Sequence, residues 1–289
     1  MPYYFYDATY ILVLIGALIS MIASWNVKNT FRTYSRVWNS RNIPSQDIAQ
    51  MILHDAGIYD VRIERIRGDL TDHYSPNEKV LRLSDSVYGS TSVAAIGVAA
   101  HECGHAIQHQ EGYAPLKLRS FSVPLANIGS RLSWPIIVLG LILGWSGLLE
   151  VGILLFVFVV AFQLITLPVE FDASHRAIRI LEAKQLFGDQ ELQGAKKVLT
   201  AAALTYVAAL ASAILQLVRL ILISRRNDDC KNRKRIKTEI GIGKGIRPFR
   251  QAGSNRNLKS LSGRICFLEA ICNCSIYDLI FWKKSICII

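Results

Sequence analysis

Residues 91–105, TSVAAIGVAAHECGH, combine a helix start, a run of small apolar residues and a closely spaced pair of histidines. Thr91 and Ser92 are typical capping residues, and the apolar run after them predicts a buried helix that continues through the histidines. Residues four apart lie on one face of a helix. His101 and His105 are therefore expected to point the same way, which is the arrangement of a zinc-binding pair.

The residues around this pair suggest hydrolytic chemistry. Glu102 follows the first histidine directly, where a carboxylate can take a proton from an activated water molecule. A catalytic zinc site uses three protein ligands and keeps one position open. His109 continues the same face, but three ligands from successive turns of one straight helix cannot surround a metal, so we expect it to pack nearby or orient a ligand. Gln108 and Glu111 stand where a metzincin needs Gly and His, which excludes that class.

Glu170 is the predicted third ligand. It lies in the sequence LPVEFDASH, residues 167–175, where an apolar stretch ends and a carboxylate is costly without a partner. The alternative is an acid solvated at a membrane edge. Asp172 is the nearest rival, but residues two apart on a helix point to different sides, so only one of the two can face the metal.

Apolar residues are concentrated in four long runs. These runs are residues 10–24, 132–149, 151–168 and 201–224, and their lengths approach the roughly 20 residues that cross a bilayer core. We expect four membrane spans, with the two middle runs forming a helical hairpin around Glu150. The first run lacks the features of a removed signal peptide and is interpreted as an anchor.

Basic residues near the ends of the runs predict the orientation of the chain. Lys28 and Arg32 follow the first run, Lys117 and Arg119 precede the second, and Arg176 follows the third. By the positive-inside rule the N-terminus is outside, and the histidine pair and the end of the third run lie together on the cytoplasmic side.

The segment before the histidine pair resembles a small folded part of mixed structure. Alternating apolar residues predict strands at 61–66 and 79–84. The second of these is either an exposed edge strand that binds a substrate backbone or part of a structural hairpin that covers the motif helix. Residues 72–74, Asp-His-Tyr, either approach the site or cap a turn, and we expect the turn.

The charge of the chain is concentrated at one end. The net charge is +11, but residues 1–224 hold 18 Lys and Arg against 17 Asp and Glu, whereas residues 225–289 hold 15 against 5. The body is thus balanced, and we expect no nucleic-acid partner. We predict that 225–289, with five of the six cysteines, is a disordered or non-native basic tail outside the chemistry. A basic arm for lipid or nucleic acid is the alternative.

From about Tyr3 to Arg226 the chain resembles the YugP-type neutral zinc metallopeptidases of bacterial membranes. The matching runs are LTDHY (70–74), LSDSVY (83–88), AAHECGHAIQ (99–108) and LPVEFDAS (167–174). The resemblance implies an integral membrane zinc protease with His101 and His105 as ligands and Glu102 as base.

The chain is more distantly similar to the membrane proteases of prenylated proteins and of heat-shock quality control. There the third ligand opens a Glu-x-x-x-Asp pattern, whereas the fourth position after Glu170 is Ser174 here. Asp172 and His175 are therefore the candidates for the missing carboxylate's role.

We therefore expect a mainly α-helical integral membrane protein with about four transmembrane helices and a small cytoplasmic α+β zincin-like part that carries the HExxH helix. The expected function is gluzincin-like, zinc-dependent endopeptidase activity on a peptide or protein substrate, with His175, Arg176 or Tyr113 as donor to the oxyanion. The alternative is a non-catalytic membrane scaffold with structural zinc, which Cys103 disfavours because it faces away from the histidines.

The expected segments are 1–25 (anchor), 26–131 (zincin-like part), 132–168 (transmembrane hairpin), 169–200 (third-ligand helix and connector), 201–224 (fourth span) and 225–289 (tail).

Overall fold

The chain is mostly helical and carries one small sheet. A computed structural model describes residues 9–185 and 187–239. Its elements are α1 (Tyr10–Tyr34), α2 (Ser45–Asp55), β1 (Arg62–Ile66), β2 (His73–Ser75), β3 (Val80–Ser84), α3 (Val93–Gln110), α4 (Ala114–Leu143), α5 (Ser146–Ala183) and α6 (Asp189–Glu239).

Among the described residues, four helices are long and apolar enough to cross a membrane. They are α1, α4, α5 and the part of α6 from Asp189 to Arg226. The predicted mainly helical fold with four candidate spans is therefore confirmed. The helices extend well past the apolar runs: the expected boundaries at 131/132 and 168/169 fall inside α4 and α5. The segment around Glu170, which was expected to form a separate helix, is therefore part of α5.

The turn between α4 and α5 lies before the expected position. Gly144 takes a positive φ of 62°, and the backbone N–H of Trp145 donates to the carbonyl of Gly140 at 3.0 Å. Glycine adopts this conformation without steric cost and commonly ends a helix. Glu150, around which the hairpin was expected to turn, is an exposed residue early in α5. One acidic residue does not break a helix, so that expectation is wrong.

The sheet has the order β1-β3-β2. The strands expected at 61–66 and 79–84 are present as β1 and β3, and they pair in parallel. The antiparallel partner of β3 is the short strand β2, which includes two of the residues expected to form a turn. β3 is therefore the central strand. The expectation of an exposed edge strand is wrong, whereas the alternative of a structural hairpin is confirmed: β2 and β3 are joined by residues 76–79, pair antiparallel and contact α3.

The described residues form two compact units. One comprises the described parts of 1–14, 124–160 and 213–280, and its core includes Ile137, Leu149, Phe156 and Leu220. The other comprises 15–123 and the described parts of 161–212, and its core surrounds α3. In this second unit the buried face of α2, with Ile52 and Leu53 almost fully buried, packs against α3.

The helix α6 continues beyond the fourth apolar run. It ends at Glu239, so the first part of the segment expected to be a disordered tail is helical. Residues 240–289, with four of the tail's five cysteines, lie outside the described residues. The expectation for that part remains a prediction.

Candidate metal centre

Helix α3 brings the two motif histidines together. It begins after Ser92, whose side chain accepts a hydrogen bond from the backbone N–H of Ala95, as expected for a capping residue. One turn of helix separates His101 from His105, and their rings meet edge to face with centroids 4.8 Å apart. His105 is buried and His101 is partly buried. The pair therefore lies on one face of a helix embedded in the core.

The carboxylate of Glu170 on α5 completes a three-residue group. Its Oε2 lies 3.3 Å from Nε2 of His101 and 3.6 Å from Nε2 of His105. Nε2 of His105 and both oxygens of Glu170 are buried and make no hydrogen bond to any described residue. Buried polar atoms without partners are costly, and a metal ion would satisfy Nε2 of His105 and Oε2 of Glu170 at once. Two imidazoles and a carboxylate are the donors of a catalytic zinc site, so the residues present fit zinc.

Gly104, inside the motif, permits the close approach of α3 to α5. A Cβ atom at this position would lie 2.7 Å from the backbone carbonyl oxygen of Ala173 and 3.2 Å from its Cα. The obstacle is main chain, which cannot rotate away as a side chain can. Only glycine lets the two helices cross at this point. The crossing is next to the group, because Gly104 directly precedes His105 and Ala173 follows Glu170 by three residues.

The Nδ1 atom of each imidazole lies within hydrogen-bonding distance of a neighbouring side chain. Nδ1 of His101 lies 3.1 Å from the hydroxyl of Ser174, and Nδ1 of His105 lies 3.0 Å from Oε1 of Gln108. The amide of Gln108 in turn donates to Asp172 at 2.8 Å. Such contacts fix the ring orientation of a metal-binding histidine. Ser174 occupies the position where the distantly similar proteases have Asp, and it contacts His101 directly. Asp172 is linked to His105 through the side chain of Gln108.

Glu102 is buried beside the histidines and carries an altered proton affinity. Burial raises the pKa of its carboxyl to about 7, with the negative charges of Asp72 and Glu170 adding to the rise, while His101 and the backbone N–H of Tyr74 oppose it. Its Oε2 is buried without a hydrogen-bond partner among the described residues. A carboxylate with a pKa near neutrality and a free oxygen can both accept and return a proton.

Arg119 belongs to the site, although sequence reasoning used it only as a basic residue flanking a span. It is buried on α4, and its Nη1 lies 3.5 Å from Oε1 of Glu170. The two oxygens of Glu170 are thus differentiated, one facing the histidines and the other the guanidinium. A basic residue shortly before an apolar run has an ordinary topological explanation, so the sequence offered no signal for this contact.

The remaining candidates lie around the group. His175 is exposed and lies outside the group that could hold a metal. Arg176 pairs with Asp172 and Glu111, each at 2.6 Å, and lies over the ring of Tyr113.

Two further residues take structural positions away from the group. His109 contacts the hydroxyl of Tyr74 at 2.9 Å, consistent with packing. Cys103 is fully buried, with its thiol directed at the carbonyl of Ala49 on α2, away from the histidines.

The fold and the site define a helical protein with four potential membrane spans and a His-His-Glu group suited to zinc. The model of the family described as "Putative neutral zinc metallopeptidase" matches residues 9–225. A relative from Bacillus subtilis (strain 168), described as "Putative membrane protease YugP", is 45% identical over 215 residues, which cover 74% of this chain and 96% of the relative. The chain belongs to this family, and the resemblance noted from the motifs is confirmed. No solved structure matches the chain.

Gly104→Ala tests the close approach of the two helices. The added methyl group collides with the backbone of Ala173, so we expect a loss of about 1–3 kcal/mol in stability, the usual cost of overpacking, and weaker metal binding by roughly tenfold or more. Thermal unfolding and a zinc titration against a chelator measure the two effects.

Gly97→Ala is the matched control, because its Cβ would meet the Cβ of Ala195 at an ordinary 3.5 Å. It lies on the same helix and should leave metal binding unchanged. Equal behaviour of the two variants would contradict the role given to Gly104.

Proposed function

We propose that the protein is a membrane-embedded, zinc-dependent endopeptidase of the gluzincin type. The proposal rests on one observation: donor atoms of His101, His105 and Glu170 lie close together beside the buried carboxylate of Glu102. Those of His105 and Glu170 are buried and make no hydrogen bond to the described residues. Membership in a family described as a zinc metallopeptidase supports the same conclusion. His101, His105 and Glu170 are the proposed ligands, and Glu102 is the proposed catalytic base.

Each residue has a definite task in this proposal. Zinc, when bound, supplies Lewis-acid activation of water and of the scissile carbonyl. The free Oε2 of Glu102 accepts the proton of the attacking water and returns it to the leaving amine. Ser174 and Gln108 orient the two imidazoles. Arg119 lies 3.5 Å from the oxygen of Glu170 that does not face the histidines and provides positive charge there.

The arrangement favours catalysis over a scaffold with structural zinc. Structural zinc is normally enclosed by four protein ligands, often cysteines. The group formed here by described residues has three members, and the thiol of Cys103 points to the opposite side of α3. Burial also raises the pKa of that thiol, which disfavours the thiolate needed for coordination.

We further propose that the site works on the cytoplasmic side of the cell membrane. In this arrangement α2, the sheet and α3 form a zincin-like part in the cytoplasm, and α1, α4, α5 and α6 cross the bilayer. The basic residues between α1 and α4 and after the apolar part of α5 support this orientation. The substrate is then a peptide or protein segment reachable from that side.

Glu102→Gln tests the base. The variant keeps every proposed ligand, so we expect zinc to remain bound while proteolysis of an unfolded model substrate falls by on the order of 10²–10⁴-fold. Metal analysis and a cleavage assay measure the two quantities. His101→Ala should instead lose the metal, and Glu150→Gln, at an exposed position, is the control for removing a charge. Full activity of Glu102→Gln would refute the assignment.

Glu170→Ala tests the third ligand against its neighbour. Removing a ligand should abolish tight zinc binding, whereas Asp172→Ala acts through Gln108 and should weaken it by roughly 10–100-fold. Competition with a zinc chelator gives both affinities. The assignment fails if Asp172→Ala has the larger effect, or if Glu170→Ala binds zinc as tightly as the unaltered protein.

Epitope tags test the orientation. A tag inserted after residue 60 should be protected from protease added to intact cells, whereas a tag inserted after Gly144, at the turn between α4 and α5, should be cut. Reversal of both results would invert the proposed orientation, and protection of both tags would exclude a hairpin that crosses the bilayer.

A further inference from the structure

A groove with several polar and two basic residues in its lining runs between the C-terminal part of α1 and the first turns of α6. Its volume is about 730 Å³. The side contributed by α1 includes Asn26, Thr30 and Tyr34, and the side contributed by α6 includes Lys196 and Lys197. The groove is distinct in composition from the metal group, because none of its lining residues belongs to that group.

The lining of the groove is suited to an anion. Two lysines provide positive charge, and none of the described residues that line the groove is acidic. The ammonium group of Lys197 lies 5.9 Å from the centre of the Tyr34 ring, and both residues line the groove. The amides and hydroxyls on the opposite wall, such as Asn29 and Thr30, add hydrogen-bond donors. Phosphate oxygens are acceptors that match such a lining.

The groove lies where both helices change from apolar to polar. The apolar run of α1 stops at Ser24, and the exposed ring of Trp25 follows directly before the first lining residue, Asn26. On α6 the groove ends at Ala201 and Leu204, the beginning of the fourth apolar run. Tryptophan is enriched at the boundary between lipid and water. These positions place the groove at the level of lipid headgroups, with apolar helix surface below it.

We propose that this groove binds the phosphate-bearing headgroup of an anionic phospholipid. Basic pockets between transmembrane helices are a recurring way to bind such headgroups. The headgroup phosphate lies between Lys196 and Lys197, and the acyl chains follow the apolar surfaces of α1 and α6 into the bilayer. The proposal does not depend on the peptidase activity.

The groove shares residues with the packing of the motif helix. Tyr34 lines the groove and also packs against Gly194. A Cβ atom at Gly194 would lie 2.7 Å from the ring of Tyr34 and 3.1 Å from the side chain of Val93 on α3. Gly97 of α3 in turn faces Ala195. A bound headgroup that ties α1 to α6 therefore stabilises the surface against which α3 packs, and lipid binding should raise the temperature of unfolding.

The test is a binding titration of the purified full chain in detergent with fluorescent phosphatidylglycerol. Unlabelled phosphatidylglycerol should displace the probe, whereas phosphatidylcholine and an excess of inorganic phosphate should not. Each lysine contributes roughly fivefold to affinity at such a surface, so Lys196→Gln combined with Lys197→Gln should weaken binding by about 30-fold. The double arginine variant should retain binding.

Lys28→Gln is the matched control, since Lys28 is an exposed lysine on the same part of α1 but does not line the groove. A loss of about fivefold in this single variant, the same per lysine as in the double variant, would show general surface attraction and overturn the proposal, as would displacement by phosphatidylcholine. Displacement by inorganic phosphate would identify a free-phosphate site instead.

Thr30→Val provides a test without a change of charge. It removes one hydroxyl from the lining at nearly constant shape and should weaken binding severalfold. Unchanged affinity in both this variant and the double glutamine variant would refute the site.

Discussion

The site depends on one steric condition, the contact of Gly104 with the backbone of Ala173. The proposed ligands come from two helices, and their donor atoms lie within 4.8 Å of one another. At Gly104 the two helices approach each other more closely than a residue with a Cβ atom would allow. The missing Cβ at Gly104 satisfies this condition, and the cap at Ser92 fixes where α3 begins. The position of the histidines relative to Glu170 follows from these two features.

The electrostatics of the group complement this geometry. Glu170 is almost fully buried, and a buried carboxylate is stable only with positive or hydrogen-bonding partners. Arg119 provides one such partner, and the histidines lie on the other side. Ser174 and Gln108 occupy the second nitrogen of each imidazole, which leaves the two Nε2 atoms facing the carboxylate. The group thus combines a buried carboxylate with two imidazole nitrogens on one side and a guanidinium on the other.

Sequence patterns predicted the elements better than they predicted contacts between elements. Local periodicity predicted the helical spacing of His101 and His105 and the alternation of β1 and β3. Glu170 was recognised by its position, as an acidic residue at the end of an apolar stretch. The turn at Gly144 was missed because two apolar helices joined only by Gly144 and Trp145 resemble a continuous run. Arg119 and the strand β2 were missed because their roles arise from partners distant in sequence.

The length of α5 has a mechanical consequence. At 38 residues the helix is about 57 Å long, nearly twice the thickness of a bilayer core. Pro168 lies inside this helix, two residues before Glu170, and a proline in a helix interior removes one backbone hydrogen bond. A long helix adapts to a thinner bilayer by tilting. Sharp bends of helices occur at such prolines, so Pro168 is the position in α5 where a tilt of the apolar part can be separated from the segment that carries Glu170.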